Sequence, residues 1–447
     1  MNKPQWLLLG IILLLAFVLR LGAATYWHRT AQAEGRLFRL GDSHSYWTLA
    51  SQLGRGLPYQ YGGPDASIFR APLYPLLLAP LTRWADEQQA VWWARVVGCA
   101  LGTMAVAGVA LLAVRLGGIS AGLLAAALAA VYPSALGMSA IILSEALLVP
   151  LMVAHLLLWQ SAWRSESKAG LATYAMLAGG IAGLAVLARP SWLLFAPFAC
   201  MVGIVLGGGP ERDSGRRRHA LLFLYTLLGL CVVMSPWWLR NARLTGRFVP
   251  TTLQVGPSLY DGLHAGATGA SDEGMAFMKT FVDEQQRADA AHRGPLPSTL
   301  EYRVNQRAQA AAIAWARQHP AEVVELAGRK FLRTWSLWPD GGELSSATLR
   351  LAITVSSFGI LMLAIYAQFR VIRPISWSAG ICWLPCLYFT LLHMVFVGSI
   401  RYREPAIFVL IAVAGCAIAL RFPGRVPRAS AGNAPPRVQN RATDSHN

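Results

Sequence analysis

WLLLGIILLLAFVLRLGAATYW, residues 6–27, is an unbroken apolar run whose one charged member is Arg20. At about 1.5 Å of rise per helical residue, a run of this length crosses a hydrocarbon layer of roughly 30 Å. Lys3 ahead of it resembles the start of a signal peptide, but Arg20 and the long continuation point to an uncleaved anchor with a cytoplasmic N-terminus. Comparable runs recur at residues 90–114, 119–137, 141–163, 170–188, 191–208, 219–238, 347–369, 376–397 and 405–420, so about ten spans are expected.

Composition agrees. The 447 residues are 55% hydrophobic and 14% charged, whereas soluble domains carry about a quarter charged residues. A spanning helix satisfies its own backbone hydrogen bonds, and nothing here alternates like a barrel strand. The expected fold is therefore an all-α polytopic integral membrane protein. The net charge of +17 is spread over short loops and the tail. No nucleic-acid reader motif accompanies it, which excludes nucleic acid and fits loops facing anionic membrane lipids. Cys99, Cys200, Cys231, Cys382, Cys386 and Cys416 all fall inside expected spans and read as small apolar residues. Cys382 and Cys386 share a helix face, but no His or carboxylate stands near them to complete a metal site.

Short cytoplasmic connections should hold the Lys and Arg. Placing Lys3, Arg115, Arg164, Lys168, Arg212, Arg216, Arg217, Arg218, Arg370, Arg373 and the tail arginines inside leaves two long, nearly neutral loops outside, 28–89 and 239–346. The organisation is then a membrane region 1–238 of about seven spans, an extracytoplasmic region 239–346, a second membrane region 347–420 of about three spans, and a disordered cytoplasmic tail 421–447. In the first outer loop a short helix is expected over 43–54, and an interfacial segment over 72–84. In the second, Ser298 with Glu301 reads as a capping box opening a helix to about 318, and Pro320 opens another to about 335. The glycine-rich stretch 254–272 reads equally as a closing loop or a passive one.

The residues able to carry chemistry stand where spans meet the outer loops. Asp42, in GDSHSYWTLA, suits a general base at the bilayer surface or, alternatively, a helix N-cap. Arg70 and Tyr74 lie in FRAPLYPLLLAPL, where a guanidinium can bind a lipid phosphate or simply snorkel to the headgroups. Glu145, in LSEALLVP, is costly in a membrane unless it faces a cavity or a partner; its alternative is an acid just above the hydrocarbon. Arg189 precedes Pro190 at a tight turn and is either a substrate contact or a topological charge. Arg240 follows Trp237 and Trp238, which read as interface anchors; Lys330 with Arg333, and Arg401 with Arg403, complete a set of cations on the side that disfavours them. His155 and His393, alone on apolar helices, read as packed residues with one hydrogen bond each. No Walker loop, dinucleotide fingerprint, zinc spacing or Ser-His-Asp order is present.

Taken in order, Asp42-Ser43-His44-Ser45-Tyr46, Arg70-Ala71-Pro72-Leu73-Tyr74-Pro75, Ser144-Glu145, Arg189-Pro190, Pro236-Trp237-Trp238-Leu239-Arg240-Asn241 and Arg401-Tyr402-Arg403-Glu404-Pro405 resemble the GT-C glycosyltransferases. The likeness is to the bacterial family 39 group, which includes protein O-mannosyltransferases and the aminoarabinose transferase of lipid A. Where that family often has Asp-Glu, this chain has Asp42-Ser43, so a second carboxylate role falls to Glu145 if to any residue. The resemblance implies a GT-C fold, a polyprenyl-phosphate sugar as donor, and an outer cavity with Asp42 as base. Glu145 is the second catalytic candidate, and Tyr46, Arg70, Tyr74, Arg189, Arg240, Lys330, Arg401 and Arg403 are the substrate-binding candidates. Direct displacement would invert the anomeric centre, with the acceptor a hydroxyl of a glycan, lipid or protein. No cofactor is called for, and a divalent metal, though compatible with the chemistry, has no residue set behind it. The implied location is a bacterial-type inner membrane with both termini cytoplasmic. A lipid-sugar transporter or flippase, or a noncatalytic subunit of an envelope polysaccharide system, are the rival readings.

Overall fold

The computed structural model describes residues 2–420 except Arg39, Pro64, Trp84, Ala85, residues 207–211, Glu273, residues 340–345 and residues 373–376, and it does not describe the side chains of residues 212–214. The expected tail 421–447 and Arg373 thus lie outside the described residues, as does the end of the 72–84 segment at Trp84.

Among the described residues every regular element is helical. In chain order these are α1 (Lys3–Ala33), α2 (Gly41–Gly54), α3 (Leu73–Leu78) with a 3-10 turn over Ala79–Arg83, α4 (Glu87–Val131), α5 (Pro133–Ala140), α6 (Glu145–Arg164), α7 (Lys168–Ala188), α8 (Phe195–Leu206), α9 (Arg212–Thr245), α10 (Val255–Gly262), α11 (Phe277–Ala291), α12 (Leu300–Gln318), α13 (Pro320–Thr334), α14 (Ala347–Arg370), α15 (Trp377–Val395) and α16 (Ile400–Ala419). Eight of them are long and apolar enough to cross a membrane.

The ten expected spans map onto these helices with two differences. Residues 90–114 and 119–131 share α4, which reverses at Gly118, where φ is 82°, and the end of the second expected span, 133–137, opens α5. That left-handed conformation suits a residue without a side chain. Beyond the turn the chain runs back along itself, so that a Cβ on Gly122 would lie 3.0 Å from the Ala110 carbonyl oxygen. The expected span at 191–208 is a shorter apolar helix, Pro190–Leu206.

Lipid supplies little apolar driving force between spans, so close backbone approach carries the packing. Gly179 of α7 and Gly229 of α9 provide it, for added Cβ atoms would fall 1.9 Å from the Thr226 carbonyl and 2.1 Å from the Met176 carbonyl. Arg20 stays inside the bundle by donating to the carbonyls of Ala16, Ala129 and Ala130 at 3.0–3.3 Å, where the second half of α4 ends. The most enclosed span is α16, with 89% of its apolar window buried.

Around this bundle sit the loop elements. The α3 segment buries Tyr74, Pro75 and Leu78 and exposes Leu76 and Leu77, the two-faced pattern expected for residues 72–84. Residues Val255–Thr334 form α10 to α13, packed through Phe281, Val304 and Ala308. At one end of the spans Arg164 donates to the Arg115 carbonyl at 3.0 Å and Arg218 to the carbonyls of Trp163 and Ser165. The N-terminus of α6, the C-terminus of α7 and the N-terminus of α16 meet at the other.

Candidate active site

Asp42 sits in the first turn of α2, where an acid is favoured by the partial positive charge of the helix start. It is not the N-cap. That place is taken by Leu40, no side chain caps the helix, and the Asp42 carboxylate reaches outward instead. Its Oδ1 accepts from Arg70 Nη2 at 2.6 Å and its Oδ2 pairs with Arg401 Nη1 at 2.9 Å. Arg70 is steadied by Ser45 Oγ, 3.2 Å from its Nε, and by the rings of Phe69 and Tyr46 at 4.8 and 5.3 Å.

Glu145 opens α6 and is again at a helix start. Its Oε1 receives Arg189 Nη1 at 2.9 Å and also Arg401 Nε. Arg189, at the C-terminal cap of α7, further donates to Ser144 Oγ at 3.2 Å, and Tyr46 donates its hydroxyl to the same oxygen at 3.0 Å. Beneath Arg189 lies Tyr402, which stacks on His393 with ring centroids 4.0 Å apart. His393 in turn pairs Nδ1 with the Val397 carbonyl, and His155 accepts from Trp192 Nε1 at 2.9 Å. Both histidines are packed with one hydrogen bond each, as expected from sequence.

Five residues from four spans and loops therefore form one network of two carboxylates and three guanidiniums, leaving a formal charge of +1. The two acids are not equivalent. Glu145 has 2% of its side chain exposed and Asp42 30%, so Asp42 is the open member of the pair and Glu145 is enclosed with its arginines. Burial works to raise the Asp42 pKa, but Arg70 and Arg401 outweigh it and hold the carboxyl well below its usual range. Arg401 Nη2 is buried without a hydrogen-bond partner. A buried guanidinium nitrogen in that condition is an unmet donor.

The other sequence candidates do not all join this network. Tyr74 does so indirectly, its ring edge-on to Tyr46 at 5.4 Å. Arg240 lies to one side, over the rings of Trp237 and Tyr59 at 4.9 and 5.5 Å. Lys330 is fully buried and donates to the Val395 carbonyl at 2.8 Å; burial pulls its ammonium down to about 8, with Asp261 working against that. Arg403 turns inward to the carbonyls of Thr334 and Ser336 and lies 3.6 Å from Glu404. For Lys330 and Arg403, backbone carbonyls left open at helix ends are the partners, rather than the shared hollow expected from sequence. The expected capping box also differs: Thr299 caps α12, Ser298 donates to the Thr245 carbonyl, and Glu301 accepts from the backbone of Ser67 and Ile68. Reading Glu301 as a local cap hid a contact 233 residues distant, and its one sequence signal is an acid on the same helix face as the apolar Val304 and Ala308.

Among the described residues no group of three His, Cys, Asp or Glu side chains gathers that could hold a metal ion. The two acids of the network already accept from guanidiniums, and a cation between them would face three positive charges. These residues do not fit a divalent ion.

No family model matches the chain, and no curated protein sequence does. Solved structures do. The oligosaccharyltransferase of Archaeoglobus fulgidus in the apo form aligns with a TM-score of 0.56 at 15% identity, over 94% of this chain and 51% of that one. The same organism's oligosaccharyltransferase AglB, in complex with an inhibitory peptide and a dolichol-phosphate, gives 0.56 at 16% identity over 94% and 50%. ArnT from Cupriavidus metallidurans bound to undecaprenyl phosphate gives 0.42 at 13% identity over 93% and 78%. The chain spans about half the length of the oligosaccharyltransferase structures. At such identities the likeness is one of architecture, and that architecture is the GT-C membrane fold.

Proposed function

We propose that this chain is a GT-C glycosyltransferase that moves a sugar from a polyprenyl-phosphate donor to an acceptor hydroxyl, with inversion, on the outer face of the membrane. The observation that supports it most is an accessible carboxylate, Asp42, paired with Arg70 and Arg401 in a network whose three guanidiniums exceed its two acids by one charge. A phosphodiester monoanion is the ligand that such a site neutralises.

In this reading the donor phosphate lies against Arg70 and Arg401, whose side chains keep 16% and 26% exposure. The acceptor oxygen attacks the anomeric carbon as the bond from that carbon to the phosphate oxygen breaks. The hydroxyl proton passes to Asp42, and the electron pair leaves with the lipid phosphate, whose charge the arginines stabilise. Phosphate leaves readily, so one base suffices. Glu145 acts by fixing Arg189 and Arg401, not by exchanging protons. The carboxylate that pairs with arginines at rest is a weak base, and transfer of those arginines to the phosphate restores its basicity.

Support for the outer side comes from charge. Arg115, Arg164 and Arg218 gather at the end of the bundle away from the network, and the basic end faces the cytoplasm in most membrane proteins. The test is reconstitution of the purified protein with radiolabelled polyprenyl-phosphate sugars and envelope extract from a strain lacking it. A new glycosidic product with inverted configuration is expected. Movement of the labelled lipid across the bilayer with no product would make the chain a flippase, and inertness in both assays would favour a noncatalytic assembly role.

A further inference from the structure

The segment that carries Arg70 has no regular structure of its own, yet its backbone is held on both sides of Phe69. Glu301, from α12, accepts the Ser67 amide at 2.9 Å and the Ile68 amide at 3.0 and 3.2 Å through its two oxygens. The Ile68 carbonyl accepts from Leu253 at 3.0 Å. Two and three residues further on, the Tyr59 hydroxyl donates to the carbonyls of Arg70 and Ala71 at 3.1 and 3.3 Å. Glu301 is thus the sole charged group holding this strand among these bonds, and it reaches the strand two residues before Arg70. An ionised acceptor makes stronger bonds to amides than a neutral one.

We propose that Glu301 is a positioning residue for the phosphate subsite: its carboxylate fixes the strand that presents Arg70 to Asp42, and it makes that presentation depend on its own ionisation. The inference rests on the reading of Arg70 as a phosphate ligand. Burial pushes the Glu301 carboxyl up to about 7, against the lowering effect of the Ile68 and Ser67 amides. The charged and titratable groups that face it are Arg240 of α9 and Asp65 and Tyr59 of the first loop. Above its pKa the carboxylate accepts both amides with full charge. Below it the acid keeps one good acceptor oxygen, while its hydroxyl has no acceptor among the amides it faces, so the strand loosens.

The experiment measures binding of undecaprenyl phosphate to the purified full chain from pH 5.5 to 8.5, with wild type and Glu301→Gln side by side. The probe has its own ionisation near pH 6, so the ratio of the two affinities is the readout. Wild type should bind about tenfold more tightly at pH 8.5, the factor carried by one charge-assisted hydrogen bond, and the ratio should approach one at pH 5.5. A ratio that is constant across this range overturns the proposal, including a constant ratio produced by a damaged variant. Should wild type fail to bind the probe at any pH, it is the phosphate reading that falls.

Discussion

Arg401 divides one guanidinium between two acids, giving Nε to Glu145 and Nη1 to Asp42, the latter at 2.9 Å. Because the first acid is buried and the second is open, the arginine is fixed on one side and exchangeable on the other. This asymmetry assigns the two carboxylates different work. Under the proposed function, Glu145 sets where the positive charge stands, and Asp42 occupies the place that an incoming phosphate would compete for.

Replacing Asp42 with Asn removes that competitor along with the proton acceptor. Transfer should fall by about 10²–10⁴-fold, the range typical for a general base. Affinity for undecaprenyl phosphate should rise, because Arg70 and Arg401 no longer satisfy a carboxylate. Equilibrium binding of the lipid to purified Asp42→Asn checks this, and weaker binding than wild type would show that the carboxylate assists the donor rather than excluding it.

Glu145→Gln acts elsewhere. It leaves Arg189 and Arg401 without their anchoring charge, and breaking a buried ion pair costs roughly 3–5 kcal/mol, here about 3 because both guanidiniums keep some exposure. A lowered thermal midpoint in detergent is expected together with weakened lipid-phosphate binding. The second effect separates this variant from Asp42→Asn, which moves binding the other way.

The depressed pKa of Asp42 fixes the sign of its pH dependence. A carboxyl held below its ordinary value stabilises the folded state above the unfolded pKa of about 3.9, and that contribution disappears only as pH falls through the folded value. The stability difference between wild type and Asp42→Asn should therefore stay level from pH 8 to about 5 and shrink below about 4. Thermal scans across that range measure it; a difference that disappears between pH 6 and 7 would mean that Arg70 and Arg401 do not hold the group.

How far the site was legible from the chain follows from what each cation does. Asp42, Arg70, Glu145, Arg189 and Arg401 were all identifiable as polar residues where spans meet outer loops, and they converge. Lys330 and Arg403 satisfied the same criterion but spend their charge on carbonyls of Val395, Thr334 and Ser336. A sequence position reports that a cation stands near a helix end; whether it caps that end or faces a hollow is decided by which helices pack beside it. The spans show the same limit. Hydropathy located both halves of α4, but only the backbone at Gly118 shows them joined through a single left-handed residue.

Lys330 still reaches the site indirectly, and Gly398 is where this can be tested. The loop after α15 passes so close to α13 that a Cβ on Gly398 would fall 2.4 Å from the Lys330 carbonyl oxygen and 2.8 Å from its Cα. Both are backbone atoms of a helix and cannot swing aside. The Gly398 amide also donates to the Gly269 carbonyl at 2.8 Å, three residues before Arg401. Gly398→Ala must push this loop off the helix, an overpacking cost of about 1–3 kcal/mol, and displace Arg401 with it. The expected result is a lower melting temperature and weaker binding of undecaprenyl phosphate. Lys330→Met adds no atom to the backbone and removes the ammonium, with its bond to Val395 and its attraction to Asp261, so it should lower stability while leaving the salt dependence of lipid-phosphate binding as in wild type. A reduced salt dependence in that variant would return Lys330 to the set of direct phosphate ligands.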